Sequence, residues 1–151
     1  MVREPRYAHT NLVARDWRAL ASFYREVLGC TSVPPERRYA GAALEAGTGV
    51  PDAALEGVHL RLPGHGPEGP TLEIFTYSPG TASSAPQVNR LGLRHLAFAV
   101  ASVEEARAEV LQAGGRALGE IVTLATADGR RVTWCYVTDP EDNILELQSW
   151  D

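Results

Sequence analysis

The sequence predicts an α+β chain built from two βαβββ modules, and three observations carry that expectation. Two segments read as strands with a histidine near their start, YAHTNLV at 7–13 and LRHLAFAV at 93–100. After each histidine an apolar helical pattern runs to a glycine 20 residues on, Gly29 in one half and Gly115 in the other. Each half then closes on a Leu-Glu-apolar strand, Leu72-Glu73-Ile74 and Leu145-Glu146-Leu147. The order His, Glu, linker, His, Glu is the most informative pattern in the chain.

The first module is expected over 6–77. Its opening strand, Tyr7–Val13, leads to Asp16 as N-cap of a helix whose apolar positions are Trp17, Leu20, Ala21, Phe23, Tyr24, Val27 and Leu28, stopped by Gly29. A short strand at Thr31–Val33 ends at Pro34-Pro35, and 36–56, with little pattern, reads as a mobile loop or a short helical lid. Val58–Leu62 alternates, with Val58, Leu60 and Leu62 on one face and His59 and Arg61 on the other. A turn rich in glycine and proline, Pro63–Pro70, joins it to Thr71–Tyr77, where Glu73 lies with Thr71, Phe75 and Tyr77.

Residues 78–92 form a linker by composition, and the second module follows over 93–150 within one domain of 1–151. In its first strand Leu96, Phe98 and Val100 share a face, and His95 falls opposite with the small Ala97 and Ala99, which leaves it room to point into a cavity. Ser102 caps a helix with Glu105 at its third position and Val103, Ala106, Val110 and Leu111 as its apolar stripe, ending at Gly114-Gly115. Strands Glu120–Ala125 and Arg131–Val137 flank an Asp128-Gly129 hairpin turn, and Asp139–Asn143 turns into the last strand, Ile144–Trp150.

Composition narrows the function. Apolar content of 44% suits a globular chain, and no apolar run is long enough to span a membrane. The N-terminus, Met1–Arg6, lacks a signal-peptide core, so a cytoplasmic protein is expected, with Cys30 and Cys135 as two reduced thiols. A net charge of −5 and the absence of a basic run argue against nucleic acid as partner and leave a small molecule.

A single strand histidine or glutamate is ordinarily a surface or hydrogen-bonded residue. Here His9, Glu73, His95 and Glu146 hold equivalent places in two halves, all opposite the apolar face of their strands. If the two sheets curve toward each other, the four side chains converge. Two imidazoles and two carboxylates suit one divalent ion per site, Ni, Co, Zn, Mn or Fe, with no net charge left over. Such a site leaves room for a chelating substrate, with Glu146 or Glu73 as the base that takes a proton beside a chelated carbonyl. Strand parity makes Phe75, Tyr77, Gln148 and Trp150 candidate cavity wall together with Trp134, although simple packing is the more ordinary account of the aromatics. Arg38, with Arg37, Arg61 and His59, is a candidate for binding a substrate carboxylate or phosphate, or ordinary surface charge.

The paired layout, with HTNLV and HLAFAV opening the halves and TLEIF and DPEDNILEL closing them, resembles the vicinal oxygen chelate superfamily. That group includes glyoxalase I, methylmalonyl-CoA epimerase, extradiol dioxygenases and the fosfomycin and bleomycin resistance proteins. The resemblance covers nearly the whole chain except 36–56 and implies that His9, Glu73, His95 and Glu146 are metal ligands. The His, Glu, His, Glu set is similar to that of bacterial glyoxalase I and implies a lyase or isomerase of that type. A metal-containing binding or resistance protein without turnover, an epimerase-like enzyme and an extradiol dioxygenase-like enzyme remain as alternatives. No glutathione-binding pattern is identifiable in 36–56 or in Asp139–Asn143. The expected architecture is an eight-stranded incomplete barrel with its helices outside, against a single ferredoxin-like sheet. Exposed strand edges also lead us to expect a homodimer.

Overall fold

The computed structural model describes residues 3–151, and the chain divides into two compact units, Met1–Ala82 and Ser83–Asp151. Among the described residues there are three helices and nine strands, in two mixed and open sheets. The α+β fold of two modules that the sequence predicts is the one observed.

The first unit runs β1 (His9–Val13), α1 (Trp17–Glu26), β2 (Thr31–Ala40), α2 (Ala42–Thr48), β3 (Ala54–Arg61) and β4 (Thr71–Ser78). Its sheet has the order β1-β4-β3-β2, with β1 parallel to β4 and the other pairs antiparallel. Asp16 caps α1 as expected, its carboxylate accepting from the backbone N–H groups of Arg18 and Ala19 at 3.0 and 3.1 Å. The helix packs on β3 and β4, and Leu20 and Tyr24 are buried, as are Val58, Leu60, Leu72 and Ile74. Because side chains alternate along a strand, that packing turns His59, Glu73 and Phe75 to the other face. Gly57 belongs to that face too. A Cβ there would lie 2.2 Å from the Phe75 ring and 2.0 Å from the Ile74 carbonyl oxygen, so the missing side chain is what lets Phe75 lie over the strand.

One expectation needs correction in this unit. The strand at Thr31 does not end at Pro34-Pro35. It continues to Ala40 through a register shift between Val33 and Arg37. Two prolines cannot donate to a ladder, and a bulge on an edge strand absorbs them without ending the pairing. Within 36–56, read as a mobile loop or a short helical lid, the structure has the end of β2, the short helix α2 and the first residues of β3. Glycines with positive φ, Gly41 at 92° and Gly49 at 70°, bracket α2, which buries no side chain and so shows no helical stripe in the sequence.

The second unit runs β5 (His95–Ala99), α3 (Val103–Gln112), β6 (Arg116–Ala117), β7 (Val122–Ala125), β8 (Arg131–Thr138) and β9 (Ile144–Trp150). Its sheet has the order β5-β9-β8-β6, with β7 also on β8. The strand beyond the expected eight is β6, only two residues long and too short to show a period. Ser102 Oγ accepts from Glu105 N at 3.2 Å, and α3 packs on β8 and β9. Val103, Val110, Cys135, Val137, Leu145 and Leu147 form the buried layer, whereas Leu111, expected in the stripe of α3, is 36% exposed. The Asp139 carboxylate sets the start of β9, accepting from Glu141 N and Asn143 N at 2.9 Å and from Asn143 Nδ2 at 2.8 Å.

Cys30 and Cys135 are free and buried in different units. Burial pushes the Cys30 thiol up to about 11 and raises that of Cys135 as well. Since the thiolate is the reactive form, DTNB near neutral pH should leave the native protein unlabelled and react with both thiols in denaturant. Rapid labelling of native protein would contradict this burial.

Candidate metal-binding pairs

Register determines which side chains meet. In the first unit His9 stands opposite Thr71, and Glu73 lies between Asn11 on β1 and His59 on β3. In the second unit His95 stands opposite Ile144, and Glu146 lies between Ala97 on β5 and Tyr136 on β8. Each glutamate is thus diagonal to its histidine, by the same offset in both units. The contacts repeat as well: His9 Nε2 is 3.1 Å from Glu73 Oε2, and His95 Nε2 is 3.1 Å from Glu146 Oε2.

The surroundings of the two glutamates differ. Glu73 Oε1 lies 2.8 Å from His59 Nε2, and Asn11 Nδ2 donates a long hydrogen bond of 3.5 Å to Oε2. His59 in turn has Nδ1 3.2 Å from the hydroxyl of buried Thr71, with its ring edge-on to Phe75. Burial holds the His59 pKa below the usual histidine value against the pull of Glu73, with Arg37, His9 and Arg61 adding to the depression. Glu146 has Tyr136 where Glu73 has His59. The Tyr136 pKa is raised by burial, then by the Glu146 charge and by the hydrogen bond between the two. That ring also contacts His95 and Trp134, with centroids 5.2 and 5.0 Å away.

The expected wall residues divide into groups. Phe75 is buried beside His59, while Trp134 stands beside Tyr136 and opposite Gln148. Gln148 Oε1 accepts from Trp150 Nε1 at 2.8 Å, and Trp150, at the open end of β9, lies under the Arg130 guanidinium. Tyr77 lines a separate hollow of about 400 Å³ with Arg15, Trp17, Arg18, Leu55 and Glu56. Arg38 is not on the Glu73 face. It pairs with Glu56 at 3.0 Å on the side of the sheet that α1 covers. Arg37 and Arg61 do share the Glu73 face, and Arg61 donates to the Gly69 carbonyl.

Three polar neighbours of the glutamates were not singled out for that role by the sequence: Asn11, His59 as a partner of Glu73, and Tyr136. Parity alone places each on the right face, but only the strand register puts it beside a particular carboxylate.

Each His–Glu pair offers donor atoms of the kind that bind a divalent ion. Two ligands bound about 2.1 Å from one ion at right angles stand about 3 Å apart, which is the spacing of each His–Glu pair. Among the described residues, no three His, Cys, Asp or Glu side chains are arranged to hold an ion as a group, so each unit offers a pair.

A family model described as a glyoxalase-like domain matches residues 9–147. Similar solved structures include a glyoxalase family protein from Bacillus cereus, 18% identical with a TM-score of 0.74, the match covering 99% of this chain and 95% of that one. A glyoxylase/bleomycin resistance protein/dioxygenase domain from Frankia is 20% identical with a TM-score of 0.62, covering 97% and 98%. Lactoylglutathione lyase from Agrobacterium tumefaciens is 19% identical with a TM-score of 0.51, covering 95% and 92%. At these identities the likeness speaks for the fold alone. No protein of curated function matches the sequence.

The contact between Tyr136 and Glu146 has an optical consequence. In a phenolate absorbance titration Tyr136 should ionise above the usual range near 10. Glu146→Gln should lower that step, because it removes the charge that opposes the phenolate. An unchanged titration curve would break the pairing.

Proposed function

The chain belongs to the glyoxalase-like domain family, and with it to the vicinal oxygen chelate superfamily; from that premise we propose a divalent-metal-dependent lyase or isomerase of the glyoxalase type. The observation that carries the proposal is the recurrence of one His–Glu pair, at one offset and one distance, in both units. Packing does not require a histidine and a carboxylate at matching places of two halves. We assign His9 with Glu73, and His95 with Glu146, as metal-ligand pairs, with Ni, Co, Zn, Mn and Fe all compatible with the donors. When bound, such an ion polarises a carbonyl and makes the neighbouring C–H acidic.

The chain's own residues then have separate tasks. Glu73 has His59, Asn11 and His9 around it, which suits a carboxylate that stays in place. Glu146 has Ala97 where the other unit has Asn11, so one donor fewer restrains it, and we assign it as the base that takes the substrate proton. Tyr136 donates to Glu146 and holds the carboxylate toward its histidine. Trp134 and Gln148 on the same face supply apolar and polar wall for a small oxygenated molecule or thioester with two adjacent oxygens. The homodimer expected from the sequence belongs to this proposal as well, supported by the exposed edge strand β2. Among the described residues no helix is long and apolar enough to cross a membrane.

Protein purified without chelator should contain a stoichiometric divalent metal. Its melting temperature should fall on stripping and recover on adding Ni, Co, Zn or Mn. Against a panel of 2-oxoaldehyde–thiol adducts, acyl-CoA epimers and catechols, Glu146→Gln should lower turnover by ~10²–10⁴-fold when assayed at saturating metal. Absence of metal in the wild type, together with no thermal response, would overturn the assignment. Tight ligand binding without turnover would instead identify a sequestering protein.

A further inference from the structure

Glu73 has two oxygens, and the structure gives them different neighbours. Oε2 faces His9 Nε2 at 3.1 Å and receives the Asn11 amide, whereas Oε1 faces His59 Nε2 at 2.8 Å. His59 is itself anchored, with Nδ1 3.2 Å from the Thr71 hydroxyl. A neutral imidazole carrying its proton on Nε2 satisfies both contacts: the Thr71 hydroxyl donates to Nδ1, and Nε2–H donates to the carboxylate. The anchors are firm because His59, Thr71 and Glu73 sit on the adjacent strands β3 and β4, with His59 directly opposite Glu73 and Thr71 two residues before it. The His59 side chain is only 19% exposed, so water is a poor substitute for the ring.

We propose that His59 is a positioning residue for Glu73, occupying Oε1 so that Oε2 alone is presented beside His9. The inference rests on the metal assignment made above and goes beyond it. It makes Glu73 a one-oxygen ligand whose angle is set by a Thr71–His59–Glu73 relay that runs across β3 and β4. The equivalent place opposite Glu146 holds a phenol, so the two halves orient their carboxylates by different donors.

The test is a titration of chelator-stripped protein with CoCl₂, read by calorimetry and by the visible ligand-field bands of Co²⁺. The proteins are the wild type, His59→Leu and His59→Gln. Loss of an outer partner of a metal ligand costs about 10–100-fold in affinity, so His59→Leu should bind Co²⁺ more weakly by that factor, with altered bands. His59→Gln keeps an N–H donor near Glu73 and should recover most of the affinity and the wild-type spectrum. If His59→Leu fails to fold, Thr71→Val takes its place and should weaken binding in the same direction. Wild-type affinity and spectrum in the variant that frees Oε1 would overturn the positioning role and leave the metal assignment standing. No Co²⁺ binding by the wild type would overturn both.

Discussion

A carboxylate set into the polar face of a sheet needs donors, and the rest of the site follows from that need. Glu73 and Glu146 each sit on a strand whose opposite face is packed under a helix. Neither can turn away without giving up the period of two that buries Leu72 and Ile74 in one unit and Leu145 and Leu147 in the other. Each carboxylate is therefore fixed in direction by apolar packing, and an unpaired charge there is costly. The donors come from the neighbouring strands: a diagonal histidine on the parallel side and a ring donor on the antiparallel side. Fold stability and chemistry thus use the same alternation, one face for each.

Much of this was legible in the sequence, for a definite reason. Histidine and glutamate are chemically conspicuous, and a repeated His-helix-Gly-Glu order survives in a string of residues. Helix ends were legible through local rules, as with Asp16 and Ser102, whose caps depend only on their next three residues. What failed was longer in range or weaker in signal. Pro34-Pro35 reads locally as a stop, yet an edge strand with a bulge tolerates it. α2 has no buried face, so periodicity had nothing to detect.

Partners of the glutamates were hidden for a different reason. The alternation places His59 on the polar face, but pairing with Glu73 depends on how the turn between β3 and β4 sets the register. Tyr136 likewise meets Glu146 only because the Asp139–Asn143 turn, held by the Asp139 carboxylate, starts β9 at Ile144. Arg38 shows the converse. A cation that looked available for substrate lies on the far face, paired with Glu56. Parity along β2 could not be carried past the bulge, which resets which residues share a face.

Within the glyoxalase-like family, the account of this chain turns on the claim that its His–Glu pairs are metal ligands. The most direct test is X-ray absorption at the metal edge of the nickel-loaded protein. Outer-shell scattering should require imidazole, with the remaining first-shell atoms light (nitrogen or oxygen) and no sulfur. In the double variant His9→Ala/His95→Ala the imidazole contribution should be lost. A wild-type spectrum with no imidazole scattering, or one that the double variant leaves unchanged, would contradict the account.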